Sequence, residues 1–136
     1  MVCPVCKQQM IVLELHEVEI DYCPSCSGIW LDAGELELLL EDQVEREKVI
    51  SSFHLDPENT ERKYKCPICR KKMDKVYVGS NKELLIDKCP DNDGLWFDEG
   101  ELKDVLKLED KDNKVVLLLN DLFGTKLINN QNGENK

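Results

Sequence analysis

Seven cysteines carry most of the chemistry that this 136-residue sequence offers. Six of them stand in three pairs of a repeated pattern, and the seventh holds the first position of a fourth pair. Two residues between cysteines let both thiolates reach one metal ion from a single tight turn. The cysteines are Cys3 with Cys6, Cys23 with Cys26, Cys66 with Cys69, and Cys89. The first four predict one complete tetrahedral zinc site.

Two other uses of the first four cysteines are open. A redox dithiol or a disulfide is disfavoured, because a thioredoxin-type motif has one cysteine pair in a strand–helix setting rather than two pairs. An iron site of the rubredoxin type would use the same ligands, so the sequence does not separate iron from zinc. We expect zinc because the segment between the pairs is compact, as a short hairpin requires.

The second site lacks a fourth cysteine, because Asn92 stands where the first site has Cys26. Asparagine is a poor zinc ligand, whereas the carboxylates of Asp91 and Asp93 can bind zinc at about 2.0–2.2 Å. We expect Asp93 to complete this site, with Asp91, a water or an empty fourth position, and loss of the metal as alternatives. The expected ligands are Cys66, Cys69, Cys89 and Asp93.

The same pattern occurs twice along the chain and places the two sites in equivalent units. Residues 3–6 return as 66–69, residues 23–26 as 89–92, and residues 28–36 as 94–102. The segment between the cysteine pairs is residues 7–22 in the first copy and 70–88 in the second, so the second is three residues longer. The extra residues fall where a hairpin would be lengthened.

Apolar and polar residues alternate in both of these segments. The alternation flanks His16 and Glu17 in the first copy and a turn-rich stretch at 79–82 in the second. Period-two alternation broken by a turn predicts a β-hairpin. We therefore expect a small metal-stabilised α+β fold of two tandem zinc ribbons, each a knuckle, a hairpin and a knuckle followed by an α-helix. Gly28 and Gly94, which follow the second knuckles, are expected to have positive φ.

Helix starts are marked after each unit by an acidic residue followed three residues later by glutamate, at Asp32 and at Asp98. This is a capping-box pattern. The first helix is predicted to run from residue 33 to about 53. A second follows Asp98, and an apolar run at 115–123 predicts a third helix or a continuation of the second.

The boundaries that follow from these elements divide the chain into five parts. They are 1–34, zinc ribbon 1; 35–63, helix and linker; 64–100, zinc ribbon 2 with the altered site; 101–124, a C-terminal helical segment; and 125–136, a polar tail expected to be disordered.

Charge is distributed unevenly between the two halves. Residues 1–62 contain 4 Lys and Arg against 14 Asp and Glu, a net charge of −10, whereas residues 63–136 contain 14 of each. The acidic half is unsuited to bind phosphates alone. The sequence shows no signal peptide and no apolar stretch of transmembrane length, so we expect a cytoplasmic protein, where paired thiols more often hold metal than form disulfides.

One basic patch surrounds the first knuckle of ribbon 2. Its residues are Arg62, Lys63, Lys65, Arg70, Lys71, Lys72 and Lys75. A charge run is usually a solvated face, but nucleic-acid contact through this patch is the alternative, with Tyr64 or Tyr77 available to stack on a base. Trp30 and Trp96 are expected to cover the zinc sites, the alternative being an exposed aromatic platform.

The combined pattern of knuckle, hairpin, second knuckle and the run from Gly28 to Leu36 resembles the transcription-factor-IIB-type zinc-finger family of small bacterial and archaeal proteins. The resemblance covers residues 3–36 closely and 66–102 well. In second copies of this family a histidine often provides the last ligand one position after the usual cysteine, and Asp93 occupies that place. The resemblance implies two zinc ions and a ribbon fold, but it does not establish a transcriptional role.

Three functions are compatible with these features. We expect a non-enzymatic zinc module that binds another macromolecule, a protein partner or a second copy, with no membrane and no small-molecule substrate. Nucleic-acid binding in transcription or RNA handling is the alternative. An enzyme would need an open position on the second zinc to activate water, and no suitably placed base accompanies that site.

Overall fold

The computed structural model of the protein describes residues 1–79, 81, 84–110 and 113–121, and the expected tail at 125–136 lies outside these residues. Its strands are β1 Ile11–Leu15, β2 Val18–Tyr22, β3 Ile29–Asp32, β4 His54–Leu55, β5 Asp74–Val78, β6 Leu84–Lys88 and β7 Gly94–Phe97. Its helices are α1 Glu35–Leu39, α2 Gln43–Ser51 and α3 Glu101–Glu109. Residues 114–121 are also helical and overlap the apolar run at 115–123, which predicted a third helix or a continuation of the second.

The strands of both ribbons form one antiparallel sheet in the order β1-β2-β3-β7-β6-β5-β4. Both predicted hairpins are present, as β1 with β2 and β5 with β6. His16 and Glu17 form the two-residue turn of the first, with φ values of 49° and 67°, the left-handed conformation that such turns require. The two ribbons thus form one continuous sheet and are not separate domains.

The ribbons meet at the pairing of β3 with β7, where Trp30 lies opposite Trp96. The pairing is symmetric about this position. Ile29 opposes Phe97, and Leu95, which is equivalent to Ile29 in the repeat, opposes Leu31, which is equivalent to Phe97. An approximate twofold axis therefore passes between the two tryptophans and relates ribbon 1 to ribbon 2.

The helix predicted over residues 33–53 is instead two helices. Leu40 has extended backbone with φ −87° and ψ 117°, which ends α1, and Asp42 starts α2 by accepting a hydrogen bond from the Glu45 amide. After α2 the expected linker contains β4, which pairs with β5 at the edge of the sheet. The apolar spacing alone did not reveal the break because it continues in phase across residue 40.

The predicted capping boxes form only in part. Glu35 accepts a hydrogen bond from the Asp32 amide at 2.7 Å, and Glu101 does the same for Asp98. The N-cap residues of α1 and α3, however, are Gly34 and Gly100, with φ of 84–87° and no side-chain cap. The Asp32 carboxylate accepts instead from the indole of Trp30 at 2.9 Å.

Two buried clusters lie around the sheet. One is aliphatic and packs the helices against strands of both ribbons, with Leu31, Leu36, Phe97 and Leu106 among its members. The other combines the two tryptophans with Met10, Met73 and cysteines of both sites. Within the described part of the chain, no helix is long and apolar enough to cross a membrane.

Candidate metal centres

The first four cysteines converge where the two knuckles of ribbon 1 face each other. Their sulfur atoms all lie within 4.8 Å of one another. The Cys3 and Cys26 sulfurs are 3.7 Å apart, and those of Cys6 and Cys23 are 3.2 Å apart. Four sulfurs at about 2.3 Å from one zinc ion would be separated by about 3.8 Å, so this donor set fits a zinc ion with modest expansion.

The second site brings together three cysteines and a carboxylate, again within 4.8 Å of one another. Its members are Cys66, Cys69, Cys89 and Asp93. Oδ2 of Asp93 lies 3.7 Å from the Cys66 sulfur and 3.4 Å from the Cys89 sulfur. A zinc ion with sulfur and oxygen ligands at about 2.3 and 2.0 Å would separate them by about 3.5 Å. This donor set also fits zinc.

Asp91, the competing carboxylate, is turned away from this site. Its Oδ2 accepts from the Lys71 ammonium at 2.7 Å on the protein surface. The geometry therefore places Asp93, and not Asp91, in the fourth position.

A change in the fourth knuckle explains how Asp93 reaches the site. The first three knuckles close with an amide four residues after the leading cysteine, at Lys7, Ser27 and Arg70, each with φ of 64–69°. In the fourth, the amide that bonds the Cys89 carbonyl is that of Asn92, only three residues on, and Asn92 has φ of 62°. The turn is one residue tighter, and asparagine tolerates its left-handed backbone.

The prediction that Gly28 and Gly94 have positive φ is wrong, since the positive φ falls one or two residues earlier. These glycines are required by packing across the twofold axis. A Cβ on Gly28 would lie 2.1 Å from the Trp96 ring, and a Cβ on Gly94 would lie 2.2 Å from the Leu31 carbonyl oxygen and 2.6 Å from the Trp30 ring. Each glycine thus makes room for the tryptophan of the other ribbon.

Trp30 and Trp96 are completely buried. This agrees with their expected role as covers for the zinc sites and excludes an exposed aromatic platform. Their burial beside the cysteines gives both sites a common hydrophobic lining, so the packing of either site depends on residues of both ribbons.

The environments of the thiols differ within each site. Burial raises the pKa of Cys66 to about 12, and it also raises the pKa values of Cys3 and Cys89. A hydrogen bond from the Gln8 amide lowers the pKa of Cys6 to about 7. Zinc binds thiolates, so loading the buried thiols must release protons, and metal affinity will fall in acid.

The cations of the expected basic patch are not all available on one exposed surface. Lys75 is 7% exposed and pairs with buried Asp87 at 2.8 Å, so it is not available to a nucleic acid. Arg62 lies over the Tyr64 ring at 5.3 Å, and Tyr64 itself is partly buried. Lys71 is engaged by Asp91.

Three of the remaining cations of the patch, Lys63, Lys65 and Lys72, line an open groove of about 630 Å³ between the ribbons. Its lining residues are Pro4, Lys7, Glu61, Arg62, Lys63, Tyr64, Lys65 and Lys72. Lys7 comes from ribbon 1 and was missed in the sequence, although it holds the knuckle position equivalent to Arg70. A smaller recess between the first knuckles includes Lys7, Lys65 and Arg70.

Sequence comparison identifies the class of protein that these sites define. The sequence profile of the transcription factor zinc-finger family, a zinc-ribbon family, matches residues 2–42 and 65–108, together 85 of the 136 residues. The chain therefore belongs to the transcription factor zinc-finger family. No curated protein and no solved structure matches the chain.

Proposed function

We propose that this protein is a non-enzymatic, cytoplasmic zinc module whose two zinc ions are structural and whose surface binds a protein partner. The zinc part of the proposal is supported by the two donor sets and by the family. Each set contains four protein ligands, which is the composition of structural rather than catalytic zinc sites.

Exposed apolar side chains are the observation that favours a protein partner. Val12 on β1, Leu38 on α1 and Val44 on α2 are each 61–63% exposed. Each of these side chains offers apolar surface to water that a protein partner could bury, and burial of apolar surface favours association. Residues 1–62 contain all three positions and also hold the acidic excess. This part of the surface therefore favours a partner with positive charge.

Photo-crosslinking tests this proposal. A benzophenone amino acid is placed singly at Val12, Leu38 or Val44 in the full chain, with Glu47, an exposed acidic residue of α2, as the polar control position. We expect a discrete protein adduct from at least one apolar position and none from the control. An adduct of twice the chain mass would identify self-association, and the absence of a protein adduct at all three positions would contradict the proposal.

Nucleic-acid binding is the second candidate, supported by the groove that five cations line. The net charge of −10 opposes it, so binding should be weak and should fall steeply with salt. Filter binding of single-stranded RNA and DNA at low salt is the test. Lys65→Glu should abolish any specific signal, whereas Lys48→Glu on exposed α2 should not. No retention of the wild-type chain would remove this candidate.

A further inference from the structure

The approximate twofold axis permits a comparison of the two ribbons at equivalent positions, and they differ at one outer corner of the sheet. A row of residues crosses six strands, each opposite the next in register: Val12, Asp21, Trp30, Trp96, Asp87 and Lys75. Asp21 is thus the counterpart of Asp87, and Val12 is the counterpart of Lys75.

In ribbon 2 this corner holds a buried ion pair formed by the chain's own residues. The Lys75 ammonium pairs with Asp87 at 2.8 Å, and their side chains are only 7% and 1% exposed. Glu61, Asp98 and Glu101 are further acidic groups near the pair. One buried cation therefore lies among four acidic side chains.

The edge of ribbon 2 is covered as well. The short strand β4 pairs with β5, and the Asp56 amide that follows it donates to the Lys75 carbonyl at 2.8 Å. The Tyr64 ring lies 5.9 Å from the Lys75 ammonium. The chain thus provides ribbon 2 with both a covering strand and a lysine.

Ribbon 1 has counterparts of three of these acidic groups but no lysine, and the positive group that acts on Asp21 is the amino terminus at Met1. Asp21, Asp32 and Glu35 are the counterparts of Asp87, Asp98 and Glu101, and Val12 takes the place of the lysine. The indole of Trp30, which lies opposite Asp21 in register, donates to the Asp32 carboxylate at 2.9 Å, and the Asp32 amide donates to Glu35 at 2.7 Å. These contacts bring the three acidic residues to one corner of the sheet.

The strand edge at this corner is also open. Within the described residues, β1 is the outermost strand of the sheet and no segment pairs with its outer side. Ile11 and Val12 are 46% and 61% exposed. Because Val12 is equivalent to Lys75, whose carbonyl accepts from the covering segment, its backbone polar groups face this open edge.

We propose that the outer edge of β1 binds an extended segment of a partner protein, whose lysine or arginine side chain enters the acidic corner formed by Asp21, Asp32 and Glu35. The partner segment pairs with β1 as β4 pairs with β5. Its cation takes the position that Lys75 holds in ribbon 2. This deepens the proposed function, on which it rests, by naming the docking edge and the chemistry of the partner.

A second copy pairing through its own β1 is disfavoured by charge. Such a dimer would bring two acidic corners and the Glu14 side chains of both copies to one interface. Like charges facing each other across strands are destabilising. A basic segment gains charge complementarity at the same edge.

The direct test is binding of a fluorescein-labelled peptide of five Lys-Val repeats to the zinc-loaded full chain, followed by fluorescence anisotropy at 0.15 M salt. We expect binding that Val12→Lys weakens at least tenfold, because the introduced ammonium occupies the acidic corner. Val44→Lys is the matched control, since it adds the same charge at an equally exposed valine and should change affinity less than twofold. A Glu-Val peptide should not bind.

Three results would overturn the proposal. They are no binding of the Lys-Val peptide, equal weakening by Val12→Lys and Val44→Lys, and sedimentation showing a dimer that Val12→Lys dissociates. Amide chemical shifts that change at residues 11–15 on peptide addition would support it directly. A protein adduct from Val44 together with no peptide binding would remove this inference and leave the proposed function standing.

Discussion

At the scale of single residues, the second metal centre depends on the neighbouring pair Asn92 and Asp93. Asn92 aligns with the ligand Cys26 in sequence, yet it serves the backbone rather than the metal. Its left-handed φ of 62° shortens the turn, and the carboxylate of the next residue then lies 3.4 Å from the Cys89 sulfur. A ligand has thus moved by one position without a change in loop length.

Removing the Asp93 carboxylate should weaken the second site selectively. We expect Asp93→Ala to lower affinity for one of two zinc ions at least tenfold, because the ion then keeps three sulfur ligands and a water. Competition with a coloured chelator measures both affinities. Asp91→Ala is the matched control and should leave both unchanged, since Asp91 binds Lys71. Equal effects of the two substitutions would remove Asp93 from the site.

Glu101 should make stability fall with rising pH. Burial raises its pKa from 4.5 to about 7, with the charges of Asp98 and Asp87 adding to the effect and Lys75 opposing it. The folded state therefore holds a proton that the unfolded state has released, so stability is lost as pH rises from about 4.5 through about 7.

The variant Glu101→Gln tests this, because its amide oxygen can still accept from the Asp98 amide. Denaturant unfolding of both zinc-saturated proteins is compared at each pH between 5 and 8. The variant should gain stability relative to the wild type as pH rises. A difference that does not vary with pH would show that Glu101 titrates normally.

At the scale of elements, the β3–β7 pairing is what joins the ribbons, and the two knuckle glycines make it possible. Gly28 lies against the ring of Trp96, and Gly94 lies against Trp30 and the Leu31 carbonyl. A side chain at either position would separate the strands or displace a tryptophan. The glycines are therefore packing residues of the junction between ribbons.

Gly94→Ala should destabilise the zinc-loaded protein by about 3 kcal/mol, the upper end of overpacking penalties, because the nearest atom is backbone and cannot rotate away. Gly100→Ala is the control. Its φ of 84° is unfavourable for alanine, but no atom lies within 4 Å of the added carbon, so we expect a loss of about 1 kcal/mol. Denaturant unfolding measures both, and a Gly94→Ala penalty no larger than the control's would contradict the packing account.

The sequence predicted the local elements better than their arrangement. Cysteine spacing and alternating apolar residues identify the donor sets and both hairpins, since these depend on neighbours in the chain. The register that places Trp30 opposite Trp96 is a long-range pairing and leaves no local signal. The end of α1 at Leu40 and the burial of Lys75 were likewise hidden, because both depend on contacts with distant segments.

At the scale of the whole molecule, one sheet and two shared clusters bind the halves together. The aliphatic cluster includes strands of both ribbons and all three named helices, and the other contains both tryptophans. Small zinc ribbons have little core of their own and rely on the metal for folding. The twofold arrangement adds a common interior that neither ribbon would have alone.

Loss of one metal ion should therefore destabilise both ribbons. We expect Cys6→Ser, which disables the first site, to increase amide hydrogen exchange in β6 and β7 of ribbon 2 as well as in ribbon 1, because β3 supports β7. Hydrogen-exchange mass spectrometry measures exchange in the two ribbons separately. Increased exchange confined to ribbon 1 would show that the ribbons fold independently.

The most direct test of the account is the metal content of the intact chain, measured by native mass spectrometry before and after denaturation. The two donor sets predict a mass difference equal to two zinc ions per chain, with the displaced thiol protons taken into account. One zinc ion per chain, no metal, or a difference matching iron would contradict it.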